Sequence, residues 1–118
     1  IDKSVTLLID LGKQVIGKYR NKELQRWYPI SSGKKGYRPP TGRFHILGKE
    51  KSYRSKTYPK PDGGAPMPYA MNFYNGYWIH GGKLPGEPAS HGCVRLMEED
   101  ASELYDNIKK WDEVWVKN

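Results

Sequence analysis

The chain has 118 residues, 20 Lys+Arg against 13 Asp+Glu and a formal net charge of +7, which suits a single domain over 1–118 and argues against two. Leu, Ile, Val and Phe together are only 22 of the 118 residues, but four Trp and nine Tyr supply the area a compact core needs. Thirteen Gly and nine Pro signal many turns and exclude a helical bundle.

Val5, Leu7, Ile9 and Leu11 alternate with Thr6, Leu8 and Asp10, the period of a strand with one buried face. Gly12-Lys13 marks a hairpin, and Gln14 to Tyr19 and Leu24 to Ile30 continue an antiparallel meander through the polar turn at Arg20-Asn21-Lys22. Pro39-Pro40-Thr41-Gly42 is a rigid turn into a strand at Arg43 to Leu47, and the polar, Pro-rich stretch from Lys49 to Pro68 reads as irregular. Tyr69 to Phe73 and Tyr77 to His80 flank Asn75-Gly76, a strong hairpin signal that leaves His80 at a strand end. Met97, Ala101, Leu104, Tyr105, Ile108 and Trp111 recur at helical spacing, with acids in the first turn and Lys109 and Lys110 expected in the last. Val114 to Val116 closes the chain as a strand. The expected fold class is mainly β, a sandwich or barrel with one packed helix.

Charge is unevenly spread: residues 1–60 carry 15 Lys+Arg and 4 Asp+Glu, residues 61–118 carry 5 and 9. The basic half favours polyanions, yet no zinc-finger spacing, RNP-type aromatic run or phosphate loop points to nucleic acid. No apolar run approaches the ~18 residues of a membrane span, and any export signal or anchor is expected upstream of Ile1. The lone cysteine, Cys93, excludes an internal disulfide. It sits in Ser90-His91-Gly92-Cys93-Val94-Arg95, where the cations and a following helix favour thiolate, and where Gly92 lets backbone N–H groups converge into an oxyanion nest. His80 is the candidate base. A zinc set drawn from His45, His80, His91 and Cys93 is the competing reading, although no common ligand spacing appears.

His80-Gly81, a Gly/Pro-containing spacer, and Ser90-His91-Gly92-Cys93-Val94-Arg95-Leu96 resemble the signature of L,D-transpeptidase catalytic domains, a family that cross-links the bacterial cell wall. Pro40-Thr41-Gly42-Arg43-Phe44 resembles that family's upstream turn and strand, and Gly63 to Tyr69 its pre-site segment, so the likeness runs over almost the whole chain. The resemblance implies a β-sandwich-like fold with an amphipathic helix after the cysteine. It also implies no cofactor or metal, a location in the cell envelope, and cysteine attack on peptidoglycan stem peptides. A monomer is expected, with no nucleic-acid partner.

Carried over by position, the resemblance makes Cys93 the nucleophile and His80 its base, with the Gly81 carbonyl orienting the ring. His91, Gly92 and Cys93 would supply oxyanion N–H groups and Arg95 electrostatic support, while Tyr69, Trp78 and Ser90 are the choices for substrate contact. Only nine residues separate His80 from Ser90, so the loop flanking the acceptor side is shortened. Water as acceptor, a zinc hydrolase using His80, His91 and Cys93, and a catalytically silent basic wall-binding module are the alternatives.

Overall fold

The computed structural model describes residues 4–33, 38–54, 66–82 and 93–118. Three strands open the fold as the alternation requires: β1 (Val5–Asp10), β2 (Val15–Arg20) and β3 (Glu23–Ser31), paired antiparallel in sequence order. Asn21 and Lys22 take φ of 52° and 66° between Arg20 and its partner Glu23, the left-handed pair of a two-residue hairpin turn. Next come β4 (Gly42–His45) and β5 (Gly48–Arg54). The hairpin of β6 (Pro66–Tyr74) and β7 (Tyr77–Gly81) turns at Asn75-Gly76, where Asn75 has φ of 44°. After β8 (Val94–Leu96) and helix α1 (Glu98–Asn107), β9 (Glu113–Lys117) returns parallel to β1.

Three expectations are corrected. Residues 48–54 and 66–68 form ordered strands rather than irregular chain. A strand also intervenes between the cysteine and the helix, so Cys93 does not sit at the helix amino end. The helix stops at Asn107, which leaves Lys109 and Lys110 outside its last turn and Trp111 63% exposed. The carboxyl end is capped from another element: Lys49 of β5 donates to the carbonyls of Tyr105 and Ile108, each at 2.8 Å, the charge a helix C-terminus favours.

The nine strands among the described residues follow the order β4-β9-β1-β2-β3-β8-β7-β6-β5. The sheet curls until its ends approach, Leu47 N–H donating to the Asn72 carbonyl at 2.7 Å and Phe44 meeting Phe73 edge-on. The concave face holds the core. Val5, Leu7, Ile9, Ile16, Tyr28, Ile30, Ile79, Val94, Leu96 and Val114 pack there with Ala101 and Leu104 of α1. Polar groups clamp the helix from the same side: Arg26 pairs with Glu103 and Asp100, Lys18 lies 3.8 Å from Glu103, and the buried Tyr28 hydroxyl donates to Glu103 at 2.8 Å.

Candidate active site

Strand parity separates the site from the core. Ile79 and Val94 are partners in the parallel β7/β8 ladder and both point inward, fully buried. Trp78, His80, Cys93 and Arg95 therefore project from the opposite, convex face. His80 lies level with Arg95. Cys93, one residue before Val94, lies level with Trp78, whose backbone N–H supports the sulfur. Thiol and imidazole are thus neighbours one strand apart, offset by two residues, about 6–7 Å along the strands.

His80 is 7% exposed, and its Nδ1 lies 2.7 Å from the Gly81 carbonyl oxygen. A carbonyl only accepts, so Nδ1 carries the proton and Nε2 keeps its lone pair. Burial lowers the imidazole pKa from 6.5 to about 4; the Gly81 hydrogen bond opposes that shift and the Arg95 charge adds to it. The part-buried Cys93 thiol is directed at the Gly76 carbonyl at 3.9 Å. Burial pushes the thiol up, against smaller lowering by the Trp78 N–H and Arg95. The thiolate expected from the sequence is therefore not the resting form: both groups rest neutral, because desolvation outweighs the nearby guanidinium.

Both glycines after His80 are needed for space. A Cβ on Gly81 would lie 3.1 Å from Glu98 Cα and 3.3 Å from Ala101 Cβ, so its absence lets α1 approach the strand that carries the imidazole. A Cβ on Gly82 would meet the Arg95 stem at 2.8 Å, which places that side chain across the loop beside His80. A cleft of about 550 Å³ opens here, lined by Ser52, Tyr53, Pro66, Met67, Pro68, Gly81, Gly82 and Glu98.

The two aromatic choices for substrate contact separate. Trp78 stacks on Tyr53 of β5, with centroids 4.2 Å apart, and its backbone supports Cys93. Tyr69 packs edge-on against Tyr105 of α1 and so belongs to the helix face rather than to the neighbourhood of Cys93. Tyr53 was not legible as a site neighbour, because β5 has no apolar alternation to announce it. Ser90, His91 and Gly92 lie outside the described residues. Among the described residues no three His, Cys, Asp or Glu gather at a metal-sized site, so His45 does not join His80 and Cys93.

These features define a β-sheet domain that sets a thiol and a carbonyl-oriented imidazole side by side on its outer face. The family model of the YkuD L,D-transpeptidase catalytic domain matches residues 4–116. The chain is 27% identical over 101 residues to the putative L,D-transpeptidase YkuD of Bacillus subtilis, covering 83% of this chain and 57% of that protein. Its fold matches an L,D-transpeptidase from Stackebrandtia nassauensis with a TM-score of 0.88 and 30% identity, over 100% of this chain and 57% of the other. L,D-transpeptidase 3 from Mycobacterium tuberculosis, in complex with a faropenem-derived adduct, matches with a TM-score of 0.85 and 25% identity, over 98% and 60%. The chain belongs to the L,D-transpeptidase catalytic domain family. It spans little more than half the length of the Bacillus relative it matches.

Proposed function

We propose that this domain transfers the acyl group of a peptidoglycan stem peptide to an amine through a thioester on Cys93, and that it works in the bacterial cell envelope. The observation that carries the reading is the 2.7 Å bond from His80 Nδ1 to the Gly81 carbonyl. It fixes the tautomer whose Nε2 accepts a proton, one strand away from a thiol on the same face. Family membership supplies the substrate class.

Because thiol and imidazole rest neutral, proton transfer accompanies attack. Cys93 Sγ bonds to the carbonyl carbon of the third stem residue, whose amide joins it to the terminal D-amino acid, as the thiol proton passes to His80 Nε2. The tetrahedral oxyanion is held by backbone N–H groups, Cys93's own among them, each such donor contributing about 3–4 kcal/mol of barrier reduction. Collapse breaks the amide, and the terminal D-amino acid leaves with the proton from His80. An acceptor amine then attacks the thioester, giving its proton to His80, and the thiol is regenerated. Arg95 contributes positive charge beside both groups.

The test is incubation with a tetrapeptide donor and a diamino acceptor, followed by mass analysis of the products. Cross-linked peptide and released D-amino acid are expected from the wild type in the presence of chelator, and neither from Cys93→Ala or His80→Ala. Full turnover by Cys93→Ala overturns the reading, and turnover abolished by chelator points to the zinc hydrolase instead.

A further inference from the structure

The convex face carries a second feature that the reaction does not use. Cross-strand pairing aligns Trp27 with Gly17, Gly17 with Leu8, Leu8 with Trp115 and Trp115 with Arg43, a single row across five strands. All of these residues lie opposite the core, since their strand neighbours Ile16, Tyr28, Leu7, Ile9, Val114 and Val116 are buried. Trp27 is 60% exposed, Trp115 38% and the neighbouring Leu24 51%. Leu24 and the Tyr19 ring lean over Gly17, so the row has an apolar flank, and the Arg43 guanidinium lies 4.1 Å above the Trp115 ring. Isolated exposed apolar residues are ordinary, but an aligned patch rimmed by polar groups marks a binding surface.

We infer that this row binds the saccharide backbone of the polymer whose stem peptides enter the site, an inference that rests on the function proposed above. The patch lies on the same side of the sheet as the catalytic residues: Trp27, Pro29 and the buried Ser31 share one side of β3, and Ser31 pairs with Arg95. A polymer with a stem peptide at Cys93 would carry its glycan toward Trp27. Trp27 and Trp115 stand three strand spacings apart, about 14 Å, a span several sugar rings long. Trp27, 60% exposed, offers a rigid indole surface to the flat C–H faces of pyranose rings, and Trp115, one face of which lies under the Arg43 guanidinium, offers its remaining exposed surface. Arg43 and Glu113, the latter accepting from Trp115 Nε1 at 2.6 Å, place polar groups beside the ring for hydroxyl contacts.

The experiment measures co-sedimentation with insoluble, peptide-free glycan strands prepared from sacculi by amidase digestion, at low and high salt. Wild type and Cys93→Ala are expected to be retained alike, with little loss at high salt. The Trp27→Ala/Trp115→Ala double variant should lose about tenfold or more in affinity. That variant is expected to fold cooperatively and to keep normal acylation by a soluble tetrapeptide, since neither side chain belongs to the core cluster. Equal retention of variant and wild type, retention that vanishes with salt, or a wild-type dimer in sedimentation velocity that the double variant abolishes would each overturn the inference. A wild type that binds glycan but is never acylated by tetrapeptide would remove the proposed reaction and leave this surface standing.

Discussion

Replacing Gly81 by Ala tests how closely the helix must approach the strand that carries His80. The added methyl would lie 3.1 Å from Glu98 Cα, 3.3 Å from Ala101 Cβ and 3.4 Å from Pro68 Cγ, against a carbon–carbon optimum of about 3.5–4.0 Å. Two of the three contacts belong to α1, which is clamped by Arg26 to Asp100 and Glu103 and by Lys49 at its far end. The helix cannot retreat without straining those ties. Overpacking of this kind costs about 1–3 kcal/mol, and at about 3–6 °C per kcal/mol for a domain between the small and mid-sized ranges the midpoint should fall by roughly 3–18 °C. The same shift, a few tenths of an ångström, moves the Gly81 carbonyl that orients His80, so the rate should fall by less than the roughly hundredfold that a misplacement of about 1 Å costs. Calorimetry and the rate of Cys93 acylation read the two effects. Gly82→Ala is the control for the midpoint alone, because its methyl meets side-chain atoms, the Arg95 stem and at 3.9 Å the His80 ring, rather than helix backbone, and its midpoint should move by less than half as much. A Gly81→Ala variant with wild-type midpoint and rate would refute the close-approach argument.

Acid sensitivity follows from His80. Its pKa falls from 6.5 to about 4 on folding, so the unfolded chain binds the proton more readily. Stability from this group is complete above pH 6.5 and is lost as pH falls through 4, by about 3 kcal/mol at most. Urea unfolding at pH 7 and pH 4 should show that loss in the wild type, and a loss smaller by about that amount in His80→Gln. Acylation should hold from neutrality to about pH 5 and drop as His80 becomes charged near pH 4. Alkylation of Cys93 by iodoacetamide should accelerate above pH 9 rather than reach a plateau near neutrality, since burial raises the thiol. Lys49→Met removes both carbonyl caps of α1 and should cost about 1–3 kcal/mol in denaturant unfolding. Glu103→Ala strands the buried Tyr28 hydroxyl and should cost a similar amount.

Much of the fold was legible because one face of each central strand is buried. The alternation in Val5 to Leu11 and the Asn75-Gly76 turn gave β1 and the β6/β7 hairpin directly. The edge strand β5 escaped because Lys49, Glu50, Lys51, Ser52 and Arg54 leave almost no apolar residue to alternate. β8 escaped because three residues are too few to show a period. The helix end was misread because Lys109 and Lys110 match the dipole rule locally, whereas the tertiary partner Lys49 fills that role from 56 residues away. At the site, residue types and spacing pointed to the thiol and the imidazole. The protonation states did not follow from them, because burial is a property of the fold and here outweighs the charges adjacent in sequence.

The most direct measurement is intact-protein mass spectrometry followed by peptide mapping, after mixing the folded domain with a tetrapeptide donor or with imipenem. The account predicts a covalent adduct on Cys93 with tetrapeptide minus its terminal D-amino acid, and a stable adduct with imipenem, both absent in His80→Ala on the same timescale. An unmodified Cys93 in folded protein, or an adduct that forms equally fast without His80, would contradict it.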